Sequence, residues 1–362
     1  MSPKVSILMS VYNGTRFLRE AMDSILNQSF GDFEFIIMDD GSNDKTWEIL
    51  SEYSIRDKRI VLLRNKTNIG LTKSLNRCLS VSCGLYIARQ DDDDISLHDR
   101  LKIQVDYLDN HPDVILVSGN YDRIDENSRL IKSMKLDCDD KTILWHLTFY
   151  NYIGGHSQVM FRRDEILRLG GYSESFTHAQ DYDLWLRLSR LGKIAIIRDT
   201  ILKYRVHDNR ITSKNSEEQQ ICVLNASRNH LTEMLGEQLS LSEMMSLWSF
   251  WCLVIPNDSN TQDNGIKFIN ARLRQIKNAF LKNQYFDKVK LETLRRKIDK
   301  LIGERYLSWF TIKILKQHQI INGFIMLYYS IIWLRHRSIK SFLNLLKKSF
   351  LSYFKKINIK NN

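Results

Sequence analysis

The N-terminal part of this chain predicts an α/β fold, with a mostly parallel sheet covered by helices on both faces. Three observations carry that prediction. Short apolar runs that read as buried strands alternate with amphipathic stretches at the spacing of βαβ units. The intervening stretches keep apolar residues three and four positions apart, as one face of a helix does. Polar residues also collect just beyond the carboxyl ends of the strand-like runs, where open α/β sheets place their ligand sites.

In order, Val5 to Val11 reads as the first strand and ends at Tyr12-Asn13-Gly14. Phe17, Leu18, Ala21, Met22, Ile25 and Leu26 form the stripe of a first helix. Phe33 to Met38 is a second strand, closed by Asp39-Asp40-Gly41-Ser42. Trp47 and Leu50 mark a second helix, and Ile60 to Leu63 a third strand. Leu71, Leu75 and Leu79 mark a third helix, leading to a fourth strand over Leu85 to Ala88 after Gly84. Leu101, Val105 and Leu108 then predict a helix, and Val114 to Val117 a strand. Three polar groups fall at strand ends: Tyr12-Asn13, Asp39-Asp40 and Asp91 to Asp94. A dinucleotide site would need G-x-G-x-x-G after the first strand; the lone Gly14 there sets hydride transfer aside.

The run Arg89-Gln90-Asp91-Asp92-Asp93-Asp94 is the strongest chemical signal. Four consecutive carboxylates repel one another and require counter-charge. One reading is a solvated acidic loop. The other is a hard-cation site, since oxygen ligands suit Mg²⁺ or Mn²⁺, and Mg²⁺ takes one or two carboxylates plus the phosphates of a substrate. An EF-hand loop fits poorly, because Ile95 stands where a third ligand should be and Ser96 where the turn glycine should be.

The 362 residues are enough for a large domain plus an appendage or for two domains, and a hydrophobic fraction of 43% supports a sizeable core. Met1-Ser2-Pro3-Lys4 runs straight into strand-like sequence, so no secretory signal is expected. Cys78, Cys83, Cys138, Cys222 and Cys252 are odd in number and lack C-x-x-C spacing, which predicts reduced cytosolic thiols rather than a zinc site or a disulfide framework. Nearly all of the net charge of +11 lies after Lys300, where Glu304 is the single acid. The basic balance therefore belongs to the tail, and suggests a membrane surface or an acidic partner.

The pieces V-S-I-L-M-S-V-Y-N-G, I-I-M-D-D-G-S-N-D-K-T, N-I-G and Y-I-A-R-Q-D-D-D-D-I-S-L-H-D-R-L, in that order, resemble family 2 glycosyltransferases of the GT-A fold. The likeness continues through His156-Ser157-Gln158-Val159-Met160-Phe161-Arg162, Gly170-Gly171-Tyr172, Ala179-Gln180-Asp181-Tyr182-Asp183-Leu184-Trp185 and Tyr204-Arg205-Val206-His207, and covers roughly residues 3–210. The resemblance implies a GT-A fold, Rossmann-like, with a mixed, mostly parallel sheet between helices. It also implies an inverting enzyme that uses nucleotide-diphosphate sugars.

By that resemblance Asp40 meets the nucleotide base, with Ser10, Tyr12 and Asn13 lining the same pocket; a carboxylate suits a pyrimidine N–H, and the donor is expected to be a UDP- or dTDP-sugar. Asp91 and Asp93 match the D-x-D motif. Asp93 then binds Mn²⁺ or Mg²⁺, while Asp91 or Asp92 touches ribose or metal, the register being ambiguous; Asp92 departs from the small residue usual there. The metal is expected to neutralise the departing diphosphate. Arg89 is either a further positive charge for the donor or a structural partner of the acids. Asp181 is the candidate general base, deprotonating an acceptor hydroxyl on the face opposite the leaving group. Leu184 and Leu188 start a helix near it, whose dipole favours the ionised form by ~0.3–1 kcal/mol; from the residues alone a plain N-cap is the competing reading. Gln180 replaces the Glu that many relatives carry. His207 is a candidate third metal ligand or a structural histidine. His156, after Gly154-Gly155, is expected to line the acceptor pocket, with Gln180 nearby.

The domains are expected at 1–215 for the transferase and 216–362 for a helical, basic, amphipathic region. Leu291, Leu294, Ile298 and Leu301 keep helical spacing, as do Leu343, Leu346, Phe350 and Phe354. Ile320 to Leu334 is too short to span a bilayer, for which about 20 apolar residues are needed, and is expected to be buried or interfacial. Trp309, Phe310, Tyr328, Tyr329 and Trp333 suit a helix lying among headgroups, with Lys347-Lys348 and Lys355-Lys356 facing anionic lipid. A helical cap on the catalytic domain or on a second subunit is the alternative, and no nucleic-acid motif accompanies the basic residues. The expected function is sugar transfer to a glycan acceptor, by resemblance a lipid-linked one, in bacterial cell-surface polysaccharide or O-antigen assembly at the cytoplasmic face of the plasma membrane. Two competing readings are a non-catalytic nucleotide- or glycan-binding protein and a metal-dependent phosphotransferase or hydrolase.

Overall fold

The computed structural model describes residues 2–136, 140–208, 216–254, 265–283, 288–317, 320–334, 344–347 and 349. Cys138, Leu343, Lys348, Phe350, Phe354, Lys355 and Lys356, which figured in the sequence expectations, lie outside the described residues. Two compact units emerge. The first combines Met1–Leu147 with Asn151–Ser227, and the second Thr148–Tyr150 with Arg228–Asn362. The division falls inside a helix, Ser216–Leu235, where the sequence placed it at 215.

In the first unit the alternation appears as expected. β1 (Val5–Val11), α1 (Leu18–Leu26), β2 (Phe33–Asp39), α2 (Thr46–Arg56), β3 (Ile60–Arg64), α3 (Leu71–Val81) and β4 (Tyr86–Arg89) follow one another. After them come β5 (Ile95–Ser96), α4 (Arg100–Asn110), β6 (Val114–Ile124), β7 (Leu130–Met134), α5 (Asp140–Leu147) and a 3-10 turn at His156–Gln158. β8 (Met160–Arg162), α6 (Arg163–Arg168), α7 (Gln180–Leu188), β9 (Lys193–Arg205) and α8 (Ser216–Leu235) complete the series. The fourth strand starts one residue later than expected: Leu85 is 47% exposed and precedes it, while Arg89 closes it.

The sheet is mixed, in the order β3-β2-β1-β4-β8-β6-β9-β5, with β7 on β6. β3, β2, β1 and β4 are parallel, as βαβ crossovers require. β8 runs antiparallel to both β4 and β6, and β6 is parallel to β9. Strand alternation divides the core between two faces. Val5, Ile7, Met9 and Val11 of β1 join Phe33, Phe35 and Ile37 of β2 under α1, α2 and α4. Leu8 joins Ile36, Met38 and Ile87 under α3, α6 and α7. Each such fully buried aliphatic side chain contributes about 1.5–3 kcal/mol. Parallel register also brings the ends of β1, β2 and β4 to one edge: Asp40 N donates to Val11 O at 2.8 Å, and Gln90 N to Leu8 O at 3.1 Å.

The second unit is helical among the described residues. It holds α9 (Leu241–Cys252), α10 (Gly265–Lys282), α11 (Lys288–Gln317) and α12 (Ile320–Trp333). α9 opens on a capping box, with Ser240 Oγ accepting from Glu243 N and the Glu243 carboxylate from Ser240 N. Leu294 and Ile298 are buried as their spacing predicts. The aromatic residues expected among headgroups are mostly core instead. Trp309, Phe310 and Trp333 are buried, with the indole N–H groups of Trp309 and Trp333 donating to Phe250 O and Asn270 Oδ1, both at 2.9 Å. A buried indole needs such an acceptor, which helix neighbours supply here. Tyr328 remains exposed.

Candidate active site

The loop after β1 is shaped by close approach to the acidic run. Asn13 takes a left-handed φ of 54°, and its N–H donates to Ser42 Oγ at 3.0 Å. Gly14 N donates to Thr46 Oγ1 at 2.9 Å. A Cβ on Gly14 would lie 2.0 Å from Asp92 Oδ2, so only glycine lets this loop close on the run. Ser10 is half-buried near the end of β1, and Tyr12 is 47% exposed, leaving its ring available for stacking. Asp40 is buried; its Oδ1 accepts from Asn65 Nδ2 at 2.7 Å and Ile69 N at 2.9 Å, and its Oδ2 from Gly70 N at 2.9 Å. The N-I-G stretch thus serves as a cradle for Asp40, leaving lone-pair capacity on Oδ2 for a further donor.

Beneath the run lie three arginines with no exposed surface: Arg89, Arg100 and Arg205. Arg89 donates to Leu8 O, to Gln90 O at 2.9 Å, to His156 Nε2 at 3.2 Å and to Asp91 Oδ1 at 2.6 Å. Arg100 is held by neutral acceptors, among them Gln90 Oε1, Ser96 Oγ and Arg89 O. Burial and the Arg89 charge push its guanidinium down to about 9. Arg205 donates through Nε to Asp93 O at 2.9 Å and through Nη2 to Glu20 at 2.7 Å, while its N–H bonds Asp94 Oδ1 at 3.0 Å. Even so, the acids are under-compensated. Burial, then the charges of Asp93 and Asp91, raise the Asp92 and Asp94 carboxyls well above the usual range. Hydrogen bonds from the Ser157 side chain and the Arg205 N–H pull the Asp94 carboxyl the other way without offsetting this.

His207, just beyond β9, places Nε2 2.9 Å from Asp93 Oδ2 and packs its ring on Phe17. A carboxylate and an imidazole so close form a donor pair suited to Mn²⁺ or Mg²⁺ that substrate phosphates would complete. Among the described residues no group of three or more His, Cys, Asp or Glu side chains is assembled for a metal.

Asp181 lies in the first turn of α7, after Ala179 in a left-handed conformation at φ 55°. Its Oδ1 accepts from Tyr182 N at 2.8 Å and its Oδ2 from Asn151 Nδ2 at 3.1 Å; neither partner is a cation. Burial, with Asp91 adding to it, raises the carboxyl to about 6 against the pull of the Tyr182 N–H and Arg89. Asp91 and Arg89 act on this carboxyl electrostatically. Gln180 is buried beside it.

His156, expected to line the acceptor pocket, is tied to the arginine beneath the acidic run. It is buried, its Nε2 faces Arg89 and the Tyr172 hydroxyl at 2.9 Å, and its ring stacks edge-on against Trp185. Burial and the Arg89 charge hold its protonation well below the usual histidine range, so the neutral ring acts as an acceptor for Arg89. The space over Gly154, at φ 102°, is filled by the Gln158 carboxamide rather than left open to a sugar. Arg100, Arg205, Asn65 and Asn151 were not singled out from the sequence. Both arginines sit inside motif stretches, His98-Asp99-Arg100-Leu101 and Tyr204-Arg205-Val206-His207, whereas nothing local marks the two asparagines.

Residues 6–169 match the family described as Glycosyl transferase family 2. An uncharacterized glycosyltransferase of Methanocaldococcus jannaschii is 36% identical over 207 residues, covering 56% of this chain and 71% of its own. The O-antigen biosynthesis glycosyltransferase WbnJ of Escherichia coli is 34% identical over 255 residues, covering 68% of this chain and 94% of its own. In fold, the chain is similar to S. aureus TarS 1-349 in complex with UDP-GlcNAc, with a TM-score of 0.54 at 16% identity, covering 98% of this chain and 92% of that one. With this match, these relatives and a curled mixed sheet of GT-A type, the chain belongs to glycosyl transferase family 2 and is a glycosyltransferase.

Proposed function

We propose that this enzyme transfers a sugar, with inversion, from a UDP- or dTDP-sugar to a hydroxyl of a glycan acceptor in cell-surface polysaccharide assembly. The acceptor oxygen bonds to the anomeric carbon as that carbon's bond to the diphosphate oxygen breaks. The nucleoside diphosphate leaves with the electron pair, and Asp181 takes the hydroxyl proton. The observation that carries the reading is the half-buried Asp181 carboxyl, held in the first turn of α7 by Tyr182 N and Asn151 Nδ2: raised to about 6, it is ionised at neutral pH yet basic enough to accept a proton. Asp40, Ser10, Tyr12 and Asn13 hold the nucleoside, and Arg89 orients Asp91 beside it.

Asp93 and His207 would hold a divalent cation, with Asp91 or Asp92 alongside. When bound, such an ion supplies charge to stabilise the departing diphosphate. WbnJ, by its name an O-antigen enzyme, and TarS, solved with UDP-GlcNAc, support the polysaccharide and UDP-sugar readings. A lipid-linked acceptor and attachment to the cytoplasmic face of a membrane complete the proposal. Their support is the exposed face of α12, where Phe324, Ile325, Tyr328 and Ile331 lie in a stretch free of acids from Arg305 to the C-terminal residue given. No helix among the described residues is long and apolar enough to cross a membrane.

The deciding test is thermal melting with UDP, dTDP and GDP, with and without Mn²⁺. A ligand bound to the folded state at a hundredfold its Kd adds about 2.7 kcal/mol. We expect a Mn²⁺-dependent rise with UDP or dTDP that disappears in Asp93→Ala. No rise with any nucleotide would overturn the donor assignment.

A further inference from the structure

Among the described residues Asp181 meets one side-chain donor, and it is neutral. Asn151, in the loop after α5 and thirty residues before Asp181 in sequence, donates Nδ2–H to Asp181 Oδ2 at 3.1 Å. The other oxygen, Oδ1, takes the Tyr182 N–H. The charged and titratable groups facing Asp181 act across longer distances. Arg89 lowers its carboxyl and Asp91 raises it, while the Tyr172 phenol, itself pushed up chiefly by burial, stays a neutral hydroxyl. Asp183, on the same helix, is tied to Arg187 at 2.8 Å.

The orientation of the Asn151 amide is informative. Its Oδ1 is buried and has no hydrogen-bond partner among the described residues, and a buried acceptor left unmade costs roughly 1–3 kcal/mol. Turning the amide over would set Oδ1 against the Asp181 carboxylate, acceptor against acceptor. The NH₂ group is therefore committed to an ionised Asp181 even at the expense of the other end. A hydrogen bond that acts only on the charged form lowers a carboxyl's proton affinity.

We infer that Asn151 is a positioning residue for the base: it aims Asp181 Oδ2 and keeps the carboxylate ionised in a half-buried, anionic site. The inference rests on the reading of Asp181 as the base. Asn151 opposes the burial that raises Asp181, so the carboxyl is basic without being protonated at neutral pH.

The test is a titration of the full-length protein carrying ¹³Cγ-labelled aspartate, followed by NMR. The Asp181 signal is identified as the one missing from Asp181→Asn. In Asn151→Leu, branched alike but without a donor, its midpoint should rise by about one pH unit, the loss of one hydrogen bond to a charged group. In Asn151→Asp, which keeps the shape and opposes a second carboxylate, it should rise further. Asn151→Asp also serves if the leucine variant does not fold. An Asp181 midpoint unchanged in the variants that fold overturns the role of Asn151, whatever happens to activity. Undiminished sugar transfer by Asp181→Asn would instead overturn the base assignment, so the two failures are separable.

Discussion

Asp181, as the proposed base, carries opposing demands of stability and chemistry in one side chain. Its folded carboxyl sits at about 6, above the ordinary aspartate value of 3.8, so the folded state binds the proton more tightly than the unfolded chain. Stability from this group is present below the unfolded value and is lost as pH rises from there through about 6. At neutral pH the partly desolvated charge is a net cost. Asp181→Asn removes it, and the Asn151 amide can turn to give Oδ1 a donor, so the variant should be more stable by roughly 1–3 kcal/mol at neutral pH. That gain should vanish below the unfolded value, as urea midpoints compared across pH will read. The same substitution should abolish transfer. In the unaltered enzyme kcat/KM should fall about tenfold per pH unit below about 6, because the base must be ionised. A flat acid limb would remove Asp181 from the reaction.

At the scale of elements, the site depends on how loops after parallel strands pack on one another. The β1–α1 loop lies against the acidic run because residue 14 has no side chain, and a Cβ there would also meet Val11 Cγ1 at 2.6 Å. Val11 is buried and cannot retreat, so Asp92 must move. Gly14→Ala should destabilise the protein by about 1–3 kcal/mol, as overpacking does, and weaken nucleotide binding at least tenfold. Calorimetric titration of UDP with Mn²⁺ reads the second effect; wild-type affinity would show that the contact has no functional consequence. Between β4 and β9, Arg205 ties Asp93, Asp94, Glu20 and the Ser128 hydroxyl together. It thereby sets the position of the run from a strand more than a hundred residues away.

At the scale of the whole molecule, charge is divided along the chain. Acids concentrate in the first unit, and the sequence after Glu304 has none. The exposed stripe Phe324, Ile325, Tyr328 and Ile331 on α12 belongs to that acid-free stretch, and Arg335 and Arg337 follow it directly in sequence. Apolar insertion plus about 1 kcal/mol per basic residue near an anionic surface predicts binding to vesicles containing phosphatidylglycerol, weakened by salt. Phe324→Ser with Tyr328→Ser should reduce cosedimentation severalfold without altering nucleotide binding. Equal binding to purely zwitterionic vesicles, or a concentration-dependent dimer abolished by the same changes, would point away from a lipid surface.

By itself the sequence determined the alternation of strands and helices, because periodicity and burial are local consequences of residue type. It also determined which strand ends carry polar chemistry, since the pattern of Tyr12, Asp40 and Asp91 to Asp94 is legible along the chain. Only the tertiary structure decided what stands beneath those residues. The burial of Arg89, Arg100 and Arg205 under the acids, the His156 contact to Arg89, and the reach of Asn151 to Asp181 join residues far apart in sequence. Trp309 and Trp333 make the same point in the helical unit. An amphipathic aromatic reads alike on a core face and on a lipid face until its N–H partner is known, and those partners, Phe250 O and Asn270 Oδ1, come from other helices. Hydrogen-bond satisfaction and desolvation are properties of the packed neighbourhood, so only the fold could assign them.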